Sequence, residues 1–282
     1  MGIANRIKLN IKYILSSFLI FCSINASCQG FNNGKLIASK SKAPLPWVNI
    51  GIIGKNIGTV SNDLGDFKIL LNEKYNQDSI RISTIGYKSL KFRVDDFRDR
   101  ILKNPIFEMQ EEFVQLDEVF ISNNVNKEYL LGNTEFTDTM VFGFQSNELG
   151  NEIGTIIKIE DGPVTIKTIN INIYKNKLHR FKIRVNIYDL KDGRPHLTIL
   201  NENIIVECTK RKGLYSIDLS QYNIIAEEDV FVSLEWIEAL SEENLYFSTT
   251  PKGSKTFTRH ASQAYWVETK NVSLGLNIGV RY

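Results

Sequence analysis

The stretch PLPWVNIGIIGKNIGTVSNDLGDFKI, residues 44–69, decides the fold of the first part of the chain. Its apolar residues alternate with small or polar ones, a pattern typical of β-strands, whose successive side chains point to opposite faces. Gly54, Gly58 and Gly65 interrupt the pattern where tight turns between strands favour glycine. A phosphate-binding loop would lead from glycines into a helix, and no helical pattern follows. We therefore interpret the stretch as strands and turns of a small β-sandwich.

The rest of the chain continues in the same pattern. Segments such as FKIRVNIYDL (181–190) and DVFVSLEW (229–236) alternate with period two and are rich in β-branched residues. Residues 122–138 are polar, rich in asparagine and without clean periodicity, which indicates a linker. The sequence thus predicts an all-β chain with two β-sandwich domains. The first, at 30–121, is expected to be a seven-stranded sandwich and the second, at 139–282, a jelly-roll-like one.

Residues 1–28 have the layout of a secretory signal peptide. Arg6, Lys8 and Lys12 form a positive region, and a short apolar run, 13–24, follows it. Cys28 comes directly after small residues, so conventional cleavage and lipoprotein processing at Cys28 remain two alternatives. Without this segment the acidic and basic residues nearly balance, which gives no charge argument for nucleic acid. We expect an exported protein whose membrane attachment, if any, is a lipid anchor or a partner.

The stretch that opens the first sandwich also carries a resemblance to a known family. Together with ISTIGYKSLKF, it is similar to the carboxypeptidase-regulatory-like domain, a transthyretin-like β-sandwich common in envelope proteins of Gram-negative bacteria. The resemblance covers about residues 30–121. It implies a non-catalytic accessory module, and a location in the periplasm, in the outer membrane or at the cell surface of a Gram-negative bacterium. The matching positions are Pro46, Val48, Ile50, Gly58, Thr59, Asp63, Gly65, Phe67, Gly86 and Tyr87.

The motifs of the common enzyme classes are missing from the sequence. None of His179, His196 and His260 belongs to an HExxH or HxxE motif, and neither a GxSxG elbow nor a GxxxxGK loop occurs. Beyond the leader the chain has a single cysteine, Cys208, on an apolar strand face, which indicates a buried and inert thiol. The sequence therefore predicts a non-enzymatic protein with no cofactor and no metal site.

Two features of the second domain are candidates for ligand binding. One face of the strand at 181–190 is basic and polar, which suits either an acidic glycan or phosphate surface or a solvated outer face. An adjacent aromatic pair with a nearby arginine resembles the platforms on which sugar-binding β-sandwiches stack sugar rings. Because adjacent strand residues point oppositely, we expect one of the pair to be buried and the other exposed. The candidate ligand-binding residues are Arg259, Tyr265, Trp266, Tyr188, Lys182 and Arg184.

These observations favour an exported, non-enzymatic envelope protein. Its first sandwich would be an accessory module, a spacer or a docking unit, and its second would bind a glycan or an envelope protein. The alternative is a structural or assembly factor that docks to outer-membrane proteins by pairing its sheet edges with them, known as β-augmentation. A hydrolase with a site of an unrecognised type is the third hypothesis.

Overall fold

The computed structural model describes residues 30–112, 127–137, 139–144, 148–178, 180–238 and 245–282. The predicted signal peptide and Cys28 lie outside the described residues. The described part is nearly all β, which confirms the predicted all-β class. Within it, no helix has both the length and the apolar character needed to cross a membrane.

The first sandwich consists of seven described strands and one α-helix. Its two sheets have the strand orders β4-β1-β7 and β3-β2-β5-β6, and β1 and β7 run parallel. A single 3-10 turn, Glu73–Tyr75, precedes β5. The bounds are β1 Phe31–Ala38, β2 Asn49–Ile52, β3 Gly58–Val60, β4 Asp66–Leu70, β5 Ser79–Ser83, β6 Leu90–Arg93, α1 Val94–Lys103 and β7 Ile106–Met109.

Period-two alternation places the apolar residues of the opening stretch in the core of this sandwich. Ile50 of β2 and Phe67 and Ile69 of β4 are all buried there. The helix α1 covers the core with Phe97, whose ring stacks on that of Phe107 with centroids 5.1 Å apart. Burying each side chain of this size stabilises the fold by about 1.5–3 kcal/mol. The core explains why the pattern of residues 44–69 specifies a sandwich.

The second part of the chain forms two larger sheets. The seven-stranded sheet has the order β13-β12-β17-β10-β19-β20, with β14 also paired to β12. The eight-stranded sheet has the order β21-β18-β11-β22-β8, with β15 and β16 paired to β11 and β9 to β18. The bounds are β8 Glu128–Gly132, β9 Val141–Gly143, β10 Glu152–Ile157, β11 Val164–Asn176, β12 Phe181–Lys191, β13 Arg194–Thr198, β14 Ile204–Cys208, β15 Gly213–Asp218, a 3-10 turn Ser220–Tyr222, β16 Ile224–Ala226, β17 Val230–Trp236, β18 Leu245–Thr250, β19 Thr256–Arg259, β20 Val267–Thr269, β21 Ser273–Leu274 and β22 Leu276–Arg281.

Two predictions from the sequence, a buried Cys208 and a linker at residues 122–138, can be compared with the structure of this part. Cys208 is fully buried in the core between the two sheets, as its apolar strand face predicted. Residues 128–132, inside the predicted linker, instead form the edge strand β8, paired to β22. The linker prediction missed β8 because period-two alternation is weak in an edge strand that packs on one partner only. Four of its five residues are exposed and none is fully buried.

A serine of the second sandwich docks into a socket that is lined by glycines. Residues Asn32–Tyr282 form one compact unit, and Ser262, in the loop after β19, is fully buried within it. A Cβ atom added at Gly51 would lie 2.0 Å from the Ser262 carbonyl oxygen, and one added at Gly58 would lie 2.6 Å from the same atom. Gly150 also packs against Ser262. These glycines therefore permit a close approach of backbone to backbone, a role separate from turn formation.

We predict that Gly51→Ala destabilises the protein, although alanine ordinarily suits a strand better than glycine does. The added methyl group meets a backbone oxygen, which cannot move away as a flexible side chain would, and overpacking of this kind costs about 1–3 kcal/mol. Urea unfolding measures the loss. Gly30→Ala is the control because nothing lies within 4 Å of its added Cβ. Equal midpoints for Gly51→Ala and the parent protein would contradict the close approach.

Candidate binding site

One face of the seven-stranded sheet is polar and turns toward the first sandwich. This face contains the even-numbered residues of β10 and β12 and the odd-numbered residues of β17 and β19, because the register of each strand pair places them side by side. The residues that alternate with them along these strands point to the other side of the sheet, where they contribute to the apolar core. The interpretation of the β12 face as a solvated outer face is wrong for Arg184, which is only 2% exposed. The polar members of the face are Glu152, Arg184, Asn186, Tyr188, Ser233, Glu235 and Arg259.

Arg184 forms a buried ion pair within the second sandwich and hydrogen bonds to the first. Its Nε donates to Oε2 of Glu235 at 2.8 Å. Its Nη1 donates to the carbonyl oxygen of Trp47 and its Nη2 to Oδ1 of Asn49, both at 2.6 Å. Trp47 has a left-handed backbone with φ +58°, which is rare for a bulky residue. The strained turn and the arginine thus hold each other in place, and a charge is buried with its partners supplied by both sandwiches.

A second buried pair lies beside the first. Nη2 of Arg259 lies 2.5 Å from Oε2 of Glu152. The side-chain amide nitrogen of Asn186 donates to both carboxylates, at 3.0 Å to Glu152 and 2.8 Å to Glu235. The hydroxyl of Tyr188 donates to Oε1 of Glu152 at 3.1 Å. Two arginines and two glutamates therefore form one network across four strands.

The two glutamates of this network differ in how readily they hold a proton. Burial raises the pKa of Glu152, and the nearby charge of Arg259 only partly offsets that effect. Burial acts on Glu235 in the same direction, but Arg184 and Arg259 together outweigh it and lower its pKa below the ordinary value. Of the two, Glu235 therefore holds a proton less readily. Its lowered pKa adds stability above the ordinary glutamate range, and that contribution is lost as pH falls through the folded-state value.

A cavity of about 240 Å³ opens above this network, at the junction of the two sandwiches. Its charged lining residues are Arg81 of β5 together with Arg184 and Arg259, and His196 lines it as well. No aspartate or glutamate is among the described lining residues, because the two glutamates lie beneath the arginines that pair with them. This volume is below the about 300–1,000 Å³ typical of pockets for drug-sized ligands, so the cavity suits one small polar molecule rather than an extended chain.

The aromatic wall of the cavity is Trp266. The guanidinium carbon of Arg259 lies 4.8 Å from the centroid of its ring, a cation–π contact. The edges of Tyr188 and Phe231 meet the same ring, with centroids 6.0 and 4.9 Å away. The indole is therefore fixed in orientation, and it lines the cavity together with the Tyr188 ring.

The structure brings together four of the six predicted binding residues and leaves two outside. Arg184, Tyr188, Arg259 and Trp266 all line the cavity. Tyr265 does not: it is 73% exposed, and its ring packs against Gly54 instead. As expected, the two neighbours differ in burial, since Tyr265 is exposed and Trp266 is partly buried. Both residues precede β20, however, and lie in a loop rather than in a strand.

Lys182 is the other predicted residue that does not line the cavity. Its ammonium group lies 5.3 Å from the centroid of the Trp47 ring and 3.7 Å from a carboxylate oxygen of Glu238. Through these two interactions, the positive charge of Lys182 is engaged where the two sandwiches meet. Lys182 therefore supports the docking of Trp47, and it is not placed to meet a ligand in the cavity.

Sequence analysis missed the wall that the first sandwich contributes. Asn49, Arg81, Ser83 and Thr84 line the cavity from β2, β5 and the residue after β5. Asn49 pairs with Ser83 and Gly51 with Arg81 in the antiparallel register of these strands, so this face is made of small and polar residues. In the sequence, the only sign of this wall was that the residues alternating with the buried ones are small or polar. Such a pattern does not reveal which surface packs against them.

We predict that Arg184 and Glu235 are strongly coupled in a double-mutant cycle. Arg184→Met leaves a buried carboxylate without its closest cation, a loss of about 3–5 kcal/mol. The double variant Arg184→Met/Glu235→Met should lose much less than the two single variants together. Urea unfolding gives all four free energies of unfolding. The exposed pair Arg281–Glu128 is the control, since its Arg281→Met change should cost little; additive effects at Arg184 and Glu235 would contradict the network.

Comparison with known proteins identifies the first sandwich. A family model described as "CarboxypepD_reg-like domain" matches residues 32–121. No curated protein matches the chain. Among solved structures, the structure of infectious bursal disease virus Gx strain is similar at 9% identity and a TM-score of 0.26, covering 88% of this chain. This chain spans only 62% of that one, and a likeness this low supports no inference. Residues 32–121, about a third of the chain, are therefore similar to the CarboxypepD_reg-like domain.

Proposed function

We propose that the protein is an exported, non-enzymatic envelope protein that binds a glycan in the cavity between its two sandwiches. In this proposal the CarboxypepD_reg-like domain is an accessory wall of the site. One observation carries the proposal: Tyr188 and Trp266 lie beside Arg184 and Arg259 around a single cavity. Sugar recognition needs this combination, since the CH groups of a sugar pack on aromatic faces and its hydroxyls require directional polar partners.

The polar partners are held in fixed positions across the junction. The side-chain amide of Gln263 donates to the Ser83 hydroxyl at 3.0 Å, and that of Asn203 donates to the Thr84 hydroxyl at 3.0 Å. All four residues line the cavity. A site that is already ordered loses less conformational entropy on binding than a flexible one, which favours recognition of a weakly hydrophobic ligand such as a sugar.

The buried carboxylates support binding rather than hydrolysis. Glycoside hydrolysis uses two carboxyl groups that both face the scissile bond. Glu152 and Glu235 are fully buried, and each is paired with an arginine beneath the cavity. Neither one is among the lining residues. A bound sugar would therefore meet arginines and amides, and neither carboxyl is placed to protonate a leaving group.

We predict that a glycan array detects binding and that Trp266→Ala abolishes it or weakens it at least tenfold. Loss of the indole removes the aromatic wall, and stacking of this kind contributes about 1–3 kcal/mol per ring by analogy with base stacking on aromatic side chains. Tyr265→Ala is the matched control, because Tyr265 is the adjacent aromatic residue and lies outside the cavity. It should leave the affinity unchanged.

A blank array across all glycan classes would contradict the proposed function. The remaining candidate would then be assembly by β-augmentation, for which the edge strand β8 offers exposed Tyr129 and Leu130. Equal effects of Trp266→Ala and Tyr265→Ala would show that the glycan binds elsewhere on the protein.

We predict that export removes the N-terminal segment near Cys28. Mass spectrometry of the protein purified from a Gram-negative host should find a mature chain that begins close to this residue. A chain that begins at Cys28 with attached acyl groups would identify a lipoprotein, and an unmodified start would identify a released protein. An intact chain beginning at Met1 would contradict export.

A further inference from the structure

Arg81 is the one charge in the cavity that comes from the first sandwich. It lies on β5, and none of the described carboxylates forms an ion pair with it. The other two cavity arginines are each matched, Arg184 by Glu235 and Arg259 by Glu152. The third arginine therefore leaves the cavity with an unmatched positive charge.

Arg81 is exposed on β5 by surface area but is partly desolvated where it lines the cavity. This desolvation and the positive charge of Arg259 lower the pKa of Arg81, whereas the effect of Tyr188 on it is smaller. His196 lines the same cavity and already has a carboxylate partner in Asp189, with Nδ1 and Oδ1 3.4 Å apart. An anion that entered the cavity would relieve the repulsion between Arg81 and Arg259.

Free hydrogen-bond donors accompany this charge. Arg259 adds its positive charge to the cavity wall, although its Nη2 is used by Glu152 and its Nε is enclosed by protein. The guanidinium of Arg81 presents a planar set of N–H groups that matches the two oxygens of a carboxylate. The hydroxyls of Ser83 and Thr84, on the same wall, suit neighbouring sugar hydroxyls. The cavity thus has donors for one carboxylate and for polar groups beside it.

We propose that the cavity recognises a sugar residue that carries a carboxylate, and that Arg81 of the first sandwich and Arg259 of the second hold this carboxylate together. The proposal rests on the proposed function and deepens it. The size of the cavity suits one such residue, the Trp266 ring supplies an apolar surface beside the carboxylate site, and no described lining residue is acidic. The accessory domain then supplies a specificity-determining residue.

The test compares an oligogalacturonate with the matched neutral galactose oligomer by isothermal titration calorimetry on the full chain. The acidic oligomer should bind at least tenfold more tightly, the scale expected of one charge-assisted hydrogen-bonded pair. Arg81→Gln should weaken binding of the acidic oligomer far more than that of the neutral one, so that the difference between them is lost. Lys103→Gln is the control for net charge, since Lys103 ends α1 and does not line the cavity.

Each outcome separates the two proposals. Equal affinity for both oligomers, unchanged by Arg81→Gln, overturns the carboxylate proposal and leaves glycan binding intact. Binding of neither oligomer also overturns it, whereas the proposed function falls only if the wider array is blank. Displacement of the acidic oligomer by inorganic phosphate alone, at equal concentration, would show a general anion site and overturn the sugar assignment. Urea unfolding confirms that Arg81→Gln is folded.

Discussion

The buried guanidinium of Arg184, which needs partners from both sandwiches, is the constraint on which their arrangement depends. A charge taken out of water is costly unless it is paired and fully hydrogen-bonded. Glu235 satisfies part of Arg184, and the Trp47 carbonyl and the Asn49 side chain satisfy the rest. Because those two partners belong to the first sandwich, separating the sandwiches would leave the arginine with unsatisfied donors. The junction, and the cavity within it, follow from that requirement.

The glycines of the opening stretch show how sequence reasoning succeeds and fails. Gly54 and Gly65 have positive φ, as turn positions between strands require, so the interpretation of turns was sound for them. Gly51 and Gly58 have another role, because Ser262 approaches their backbone. A glycine that permits a turn and one that permits close approach look identical in a sequence. The distinction requires the position of the second surface, which only the tertiary structure supplies.

The candidate site was predictable in its second-domain half. Alternation along β12 placed Arg184 and Tyr188 on one face, and the adjacent aromatic residues drew attention to Trp266. The first-domain half was not predictable, since nothing in the sequence shows that Arg81, an exposed strand residue, lines a cavity. Burial of the β12 polar face was also hidden, because a polar face ordinarily meets solvent. Charge pairing between elements distant in sequence left no local pattern, so Glu152 and Glu235 were not recognised.

The central claim is that the two sandwiches form one rigid body that shares a binding cavity. Backbone ¹⁵N relaxation on the full chain tests it most directly. If the hydrogen bonds of Arg184 to Trp47 and Asn49 and the Ser262 socket hold the junction, amides of both sandwiches will report one common rotational correlation time, that of a single particle of the whole chain's mass. Two separate and shorter correlation times, as for domains joined by a flexible linker, would contradict the account.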